Sequence, residues 1–178
     1  MNQHRRFIVK APTGAGKTVL AGEIVERFYK GKKIVVLCHR LVLLEQLEKA
    51  LGKKHNVHKL AVSDTGPAFE NYDILLSTSM RAKEVLADAI PKADLIIVDE
   101  AQDVIGVRSR FISLLIEKLG EGCGFTILAD PLQAIYDFTQ DGEGADPVAL
   151  LESMAGEAFR MAQFTKVYRY EDPMLEET

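Results

Sequence analysis

Cysteine is scarce in this chain: Cys38 and Cys123 are the only two in 178 residues. That excludes a disulfide scaffold, and no Cys/His cluster has the spacing of a zinc site. No apolar run approaches the roughly 20 residues needed to span a bilayer. No apolar stretch near the N-terminus reads as a signal peptide. These absences remove the membrane and disulfide-rich secreted classes and point to a soluble protein of the cytoplasm. What remains is ordinary globular usage, 47% hydrophobic and 27% charged. The length reads as one domain on a prior of about 150 residues each. Such a chain can bury roughly 70% of its unfolded surface, enough to fold without staples.

Positive charge is missing from one region. Leu119 to Phe159 contains eight acids and no Lys or Arg. Residues 119–178 hold 3 Lys/Arg against 12 Asp/Glu, net −9, whereas residues 1–118 hold 19 against 14, net +5. A total of −4 argues against bulk electrostatic binding to nucleic acid. Any such contact should use local basic positions in the first two thirds, or a partner domain. A charge gradient over a solvated surface is the plain alternative.

Short apolar runs rich in β-branched residues alternate with segments of helical period, which predicts an α/β fold with a mostly parallel sheet. The strand candidates are Arg6–Lys10, Lys33–Leu37, Val57–Val62, Tyr72–Leu76, Asp94–Val98, Phe125–Ala129 and Phe164–Val167. Their near-continuous apolar character suits strands covered by helices on both faces. Helices are expected at Lys17–Tyr29, Val42–Leu51, Arg81–Ala89, Arg108–Leu119 and Val148–Gln163. In the second, Leu43, Leu44, Leu47 and Leu51 form one stripe. Met154, Ala158 and Met161 read as a core row in the last. There are no repeats, and Thr139–Pro147 is the one loop-like stretch.

After the first strand comes Ala11-Pro-Thr-Gly-Ala-Gly-Lys-Thr18, a phosphate-binding loop with Ala11 where the usual pattern has its first glycine. Pro12, Thr13, Gly14, Ala15 and Gly16 would wrap backbone around phosphate oxygens. Lys17 would reach the β/γ-phosphates of ATP, and the Thr18 hydroxyl would hold Mg²⁺. Asp94-Leu-Ile-Ile-Val-Asp-Glu-Ala-Gln-Asp103 then runs four apolar residues into Asp99-Glu100 at a strand's carboxyl edge. Asp99 would hold Mg²⁺, and Glu100 would polarise the attacking water. Together the two motifs predict binding and hydrolysis of a nucleoside triphosphate.

Asp99-Glu-Ala-Gln-Asp103, Ala129-Asp-Pro-Leu-Gln-Ala-Ile-Tyr-Asp-Phe138 and Val167-Tyr-Arg169 resemble successive motifs of the superfamily 1 DNA helicases of the UvrD/Rep/PcrA type. The resemblance implies a RecA-like P-loop NTPase domain, the N-terminal half of an ATP-dependent motor on single-stranded DNA, with RNA not excluded. It implies that Gln133 senses the γ-phosphate and that Arg169 reaches it from the far side. Tyr168 would lie against adenine, and Tyr136 would stack on a base. Gln102 and Asp103 would couple hydrolysis to movement. Plainer readings stand beside these: Tyr136 and Phe138 as packing aromatics, Arg169 as an ion-pair partner of Glu171 or Asp172.

Other segments differ from that pattern. Cys38-His-Arg-Leu-Val-Leu-Leu-Glu-Gln46 and Leu76-Ser-Thr-Ser-Met80 look more like superfamily 2 helicases. In either superfamily these strand ends touch the nucleic-acid backbone, so Arg40, Thr78 and Ser79 are phosphate-contact candidates. His39 is expected to pack or cap. Only ten residues precede Ala11, so Gln3 is not assigned to adenine, and Val167 stands where Asn is usual. The expectation is a single RecA-like domain over 1–178, half of a motor whose second RecA-like domain lies elsewhere. The alternatives are a nucleotide-switched binding module or a superfamily 2-type RNA/DNA helicase domain, with a small P-loop kinase a weaker one.

Overall fold

In this computed structural model the described residues are 6–65, 70–86, 90–101, 107–119, 122–130, 153, 156 and 159–165. The apolar runs become strands because each can bury both faces. In the strand β2 (Ile34–Cys38) all five residues are buried. Val35 and Leu37 enter one core cluster, while Ile34, Val36 and Cys38 enter the other. The strand β5 (Leu95–Val98) divides the same way, Ile96 and Val98 against Leu95 and Ile97. A period of two with no polar face is the signature of a strand between two helical layers.

The remaining strands are β1 (Arg6–Lys10), β3 (Val57–Lys59), β4 (Ile74–Thr78), β6 (Gly124–Ala129) and β7 (Arg160–Gln163). All described pairings are parallel, in the order β3-β4-β2-β5-β6-β1-β7. Helices α1 (Lys17–Phe28) and α2 (Leu41–Leu51) cover one face. They send Ala21 and Val25, then Leu44, Leu47 and Leu51, into its core. Helices α3 (Ser79–Val85) and α4 (Val107–Lys118) cover the other through Ala82, Ile112 and Leu115. The expected α/β class, parallel sheet and two-sided helical cover are all present.

Two expectations fail at the C-terminal end. Residues 160–163 are strand β7, paired with β1 from Phe7↔Arg160 to Lys10↔Gln163, not the end of a helix. The strand expected at Phe164–Val167 thus lies four residues earlier. Met161 is 60% exposed rather than core. Helical spacing of Met154, Ala158 and Met161 misled there, because pairing with β1 overrides local pattern. The expected Val57–Val62 strand also ends early: Val62 sits in a turn and is 94% exposed.

The stripe on α2 has graded burial. Leu44 and Leu47 are sealed in the core, Leu43 is half-buried, and Leu41 is exposed. Leu47→Ala should cost about 2–4 kcal/mol in urea unfolding, and Leu41→Ala under about 0.5 kcal/mol. Equal losses would mean that α2 does not pack by this face.

Candidate functional site

In an open parallel sheet, ligands bind beyond the carboxyl ends of the strands. The order β5-β6-β1 makes three such ends adjacent, and each carries a polar feature. The end of β1 is locked to β6 by Ala11 N–H donating to the Ala129 carbonyl at 2.9 Å. Ala11 is buried, and among the described residues Glu100 is the only non-glycine with positive φ. Alanine thus fits where a glycine was expected. Gly14 and Gly16 do take left-handed φ, 84° and 86°. Their turns curl the chain over Pro12, whose carbonyl accepts from Ala15 N–H at 3.1 Å. Gly16 caps α1 without a side-chain hydrogen bond. The first N–H groups of the helix are left for another acceptor, the condition under which helix N-termini bind anions.

Lys17, the first residue of α1, is 8% exposed. Its ammonium donates to the Ala11 carbonyl at 3.3 Å and lies 3.7 Å from Glu100 Oε1 and 4.0 Å from Asp130 Oδ2. The charge is therefore met from the end of the adjacent strand β6 and from the end of β5 one strand beyond it. Glu100 reaches it because φ of 55° turns the chain back just after β5. Such a conformation is uncommon for a residue with a Cβ and clusters at functional sites.

Asp99 is almost fully buried. Its N–H donates to the Leu37 carbonyl at 2.8 Å, and its Oδ1 accepts Glu100 N–H at 3.0 Å. Burial pushes its pKa up to about 6, and the Glu100 charge adds to the rise; the Glu100 N–H and Lys17 oppose it. A carboxylate held this way suits a cation. Asp99 and the Thr18 hydroxyl are the residues that could hold Mg²⁺, which prefers hard oxygen donors. Among the described residues no group of three or more His, Cys, Asp or Glu forms a metal cluster. A site here would be of the kind completed by water and phosphate.

Asp130 is the residue that sequence reasoning missed. It lay inside the Ala129–Phe138 block without a role. Its Oδ2 accepts both the Thr13 N–H at 2.6 Å and the Thr13 hydroxyl at 2.7 Å, and faces Lys17. The available signal was an acid directly after an apolar strand, the same placement that drew attention to Asp99.

The phosphate-contact candidates lie on the same edge, farther along. Cys38 pairs with Thr78, so the ends of β2 and β4 are neighbours. Arg40 is exposed at the start of α2, and its carbonyl accepts from Leu43 and Leu44 N–H. Thr78 caps α3 by accepting Arg81 N–H at 3.3 Å. Thr78 and Ser79 line a cavity of about 190 Å³ with His39 and Met80. The Cys38 thiol is buried, its pKa pushed up to about 12, and is inert. Gln133, Tyr136, Tyr168 and Arg169 lie outside the described residues, as do Gln102, Asp103 and Phe138.

Residues 1–107 match the family model described as type III restriction enzyme, res subunit (ResIII). The chain belongs to the ResIII family. No curated protein matches this ResIII chain. Its fold is similar to the Pyrococcus furiosus Hef helicase domain, with TM-score 0.65 and 18% identity over 92% of this chain and 36% of that one. It is also similar to the helicase MrfA bound to DNA, with TM-score 0.60 and 16% identity over 90% and 25%. The UvsW helicase of bacteriophage T4 gives TM-score 0.58 and 16% identity over 90% and 55%. The ResIII chain thus has the RecA-like helicase-domain fold and spans from a quarter to just over half of these structures. None of these matches is to a UvrD/Rep/PcrA protein.

The Asp99 carboxyl gives a signed prediction. Its folded pKa lies above its unfolded value, so the folded chain binds the extra proton between about pH 4 and 6. Stability contributed by this group falls across that window and the penalty is complete above it. Asp99→Asn should stabilise the nucleotide-free chain by about 1–3 kcal/mol at pH 7.5, with the gap closing near pH 4. Urea midpoints at both pH values measure it. A variant less stable at pH 7.5 would mean that attraction to Lys17 outweighs burial.

Proposed function

We propose that this chain is the ATP-binding and hydrolysing motor domain of an ATP-dependent nucleic-acid helicase or translocase. It would be a single RecA-like unit over 1–178 that works against a second RecA-like domain or partner chain. One observation carries the reading: the phosphate loop, Asp99-Glu100 and Asp130 converge from three adjacent strand ends on one buried lysine. The helicase-family domain and fold support it.

The loop Pro12–Gly16 and the N-terminus of α1 would receive the phosphates, and Lys17 would exchange its carboxylate partners for phosphate oxygens. Thr18 and Asp99 would hold Mg²⁺, which supplies charge neutralisation on the phosphates. Glu100, already turned back beside Lys17, would orient a water and take its proton as the water attacks the γ-phosphorus, with ADP leaving. Asp130 would fix Thr13 and hence the mouth of the loop. Gln133 would sense the γ-phosphate, Tyr168 would flank the base, and Arg169 would reach in from the second side.

Nucleic acid is the proposed partner, supported by the fold shared with a DNA-bound helicase. Arg40, Thr78 and Ser79 would touch its backbone, and Tyr136 would stack on a base, with single-stranded DNA as the substrate. The family and fold matches favour a superfamily 2-type arrangement over the UvrD/Rep/PcrA type. The look of Cys38–Gln46 and Leu76–Met80 agrees with that. The cytoplasm is the expected compartment; among the described residues no helix is long and apolar enough to cross a membrane.

Lys17→Ala should abolish binding of a fluorescent ATP analogue. Glu100→Gln should keep that binding and lower turnover at least about 100-fold. Turnover with and without single-stranded DNA, read by phosphate release, measures both. Unchanged turnover in Lys17→Ala would overturn the site.

A further inference from the structure

The opposite edge of the sheet carries a second charged feature, one that the nucleotide site does not use. Residues 27–33 and 49–55 contain Arg27, Lys30, Lys32, Lys33, Lys49, Lys53 and Lys54 and no Asp or Glu. The fold brings the two segments together where α1 and α2 end. His55 Nε2 lies 2.8 Å from Glu26 Oε1, and Lys54 Nζ lies 3.7 Å from Glu26 Oε2. Both oxygens of the nearest acid are thus taken. Glu23 is paired with Arg27 at 2.6 Å, Glu48 with Lys59 at 3.1 Å, and Lys33 turns away to Tyr72 and Asp73.

Lys30, Lys32, Lys49 and Lys53 remain, all exposed; none lies within 4 Å of a carboxylate among the described residues, and Lys30 acts on Glu26 only at longer range. Phe28 stands in the first segment, an aromatic at 74% exposure. This concentration of positive charge sits on a chain of net charge −4, so it is a local field and not a general one. The twelve residues of α1 separate it from the phosphate loop by about 18 Å.

We propose that the shared end of α1 and α2 is an auxiliary binding surface for single-stranded nucleic acid. Lys30, Lys32, Lys49 and Lys53 contact successive phosphates and Phe28 offers its ring to a base. Lysines bind a strand through its backbone charge regardless of sequence, and an exposed aromatic beside them adds a stacking platform. This surface goes beyond the proposed motor site, since it needs neither ATP nor Arg40.

The test uses the full chain and labelled 30-nucleotide oligo-dT and oligo-U, followed by fluorescence anisotropy at several salt concentrations. Reversing all four lysines (K30E, K32E, K49E, K53E) should weaken binding at least about tenfold. It should also lower the salt slope by about 3, four phosphates at roughly 0.7 each for single strands. Phe28→Ala should weaken binding severalfold with the slope unchanged. Binding of the fluorescent ATP analogue should persist in both, which shows that the variants fold. Wild-type affinity and slope in the four-lysine variant would overturn the surface. If binding is then lost in Arg40→Glu instead, the motor reading stands without it. Equal competition by polyglutamate, with no effect of Phe28→Ala, would overturn it in favour of an acidic protein. A wild-type chain that binds neither oligonucleotide at low salt would overturn it as well.

Discussion

An ammonium taken out of water must find negative charge close by, and Lys17 finds it at the ends of two different strands. Glu100 lies two residues beyond β5, and Asp130 immediately follows β6. Lys17 itself follows the loop after β1. The three strands must therefore be neighbours in register, and the register is what the two-sided core supplies. Ala11 N–H on the Ala129 carbonyl fixes one junction, and Asp99 N–H on the Leu37 carbonyl fixes the other side of β5. A slip in the sheet would strand a buried charge. The electrostatics of the edge and the packing of the interior are one constraint.

The same charges that satisfy Lys17 in the free chain would have to release it to a phosphate. The geometry is compatible with such an exchange, since neither acid is closer to Lys17 than 3.7 Å. Asp130 has a further duty, since both its contacts hold Thr13, where the loop's turn begins. Asp99 is the complement: its burial disfavours its own charge, and a cation beside it would reverse that balance.

How much of this was legible in the sequence differs from element to element. β2 and β5 were plain because Ile34–Cys38 and Leu95–Val98 are apolar on both faces, a pattern that few other structures use. The curvature at Gly14 and Gly16 and the placement of Asp99-Glu100 at a strand end were legible, because left-handed φ favours glycine and an acid stands out after an apolar run. β7 was not, since Arg160–Gln163 is exposed throughout and exists as a strand only through β1. Asp130 was visible as a letter but not as a partner of Thr13, which lies 117 residues away in the chain. Superfamily-level affiliation was the least legible. Short motifs near Gln133 pulled one way and those near Arg40 the other.

The placement of β1 has a consequence for how such a chain is made. Arg6 pairs with Phe125 and Phe7 with Arg160, so β1 has neither of these partners until more than a hundred further residues have followed it. At about 5–20 residues per second, β1 waits on the order of ten seconds for β6. Meanwhile β2, β4 and β5 can already pair among themselves. The loop after β1 is anchored by Ala11 N–H on the Ala129 carbonyl, so it gains that anchor only once β6 has been made.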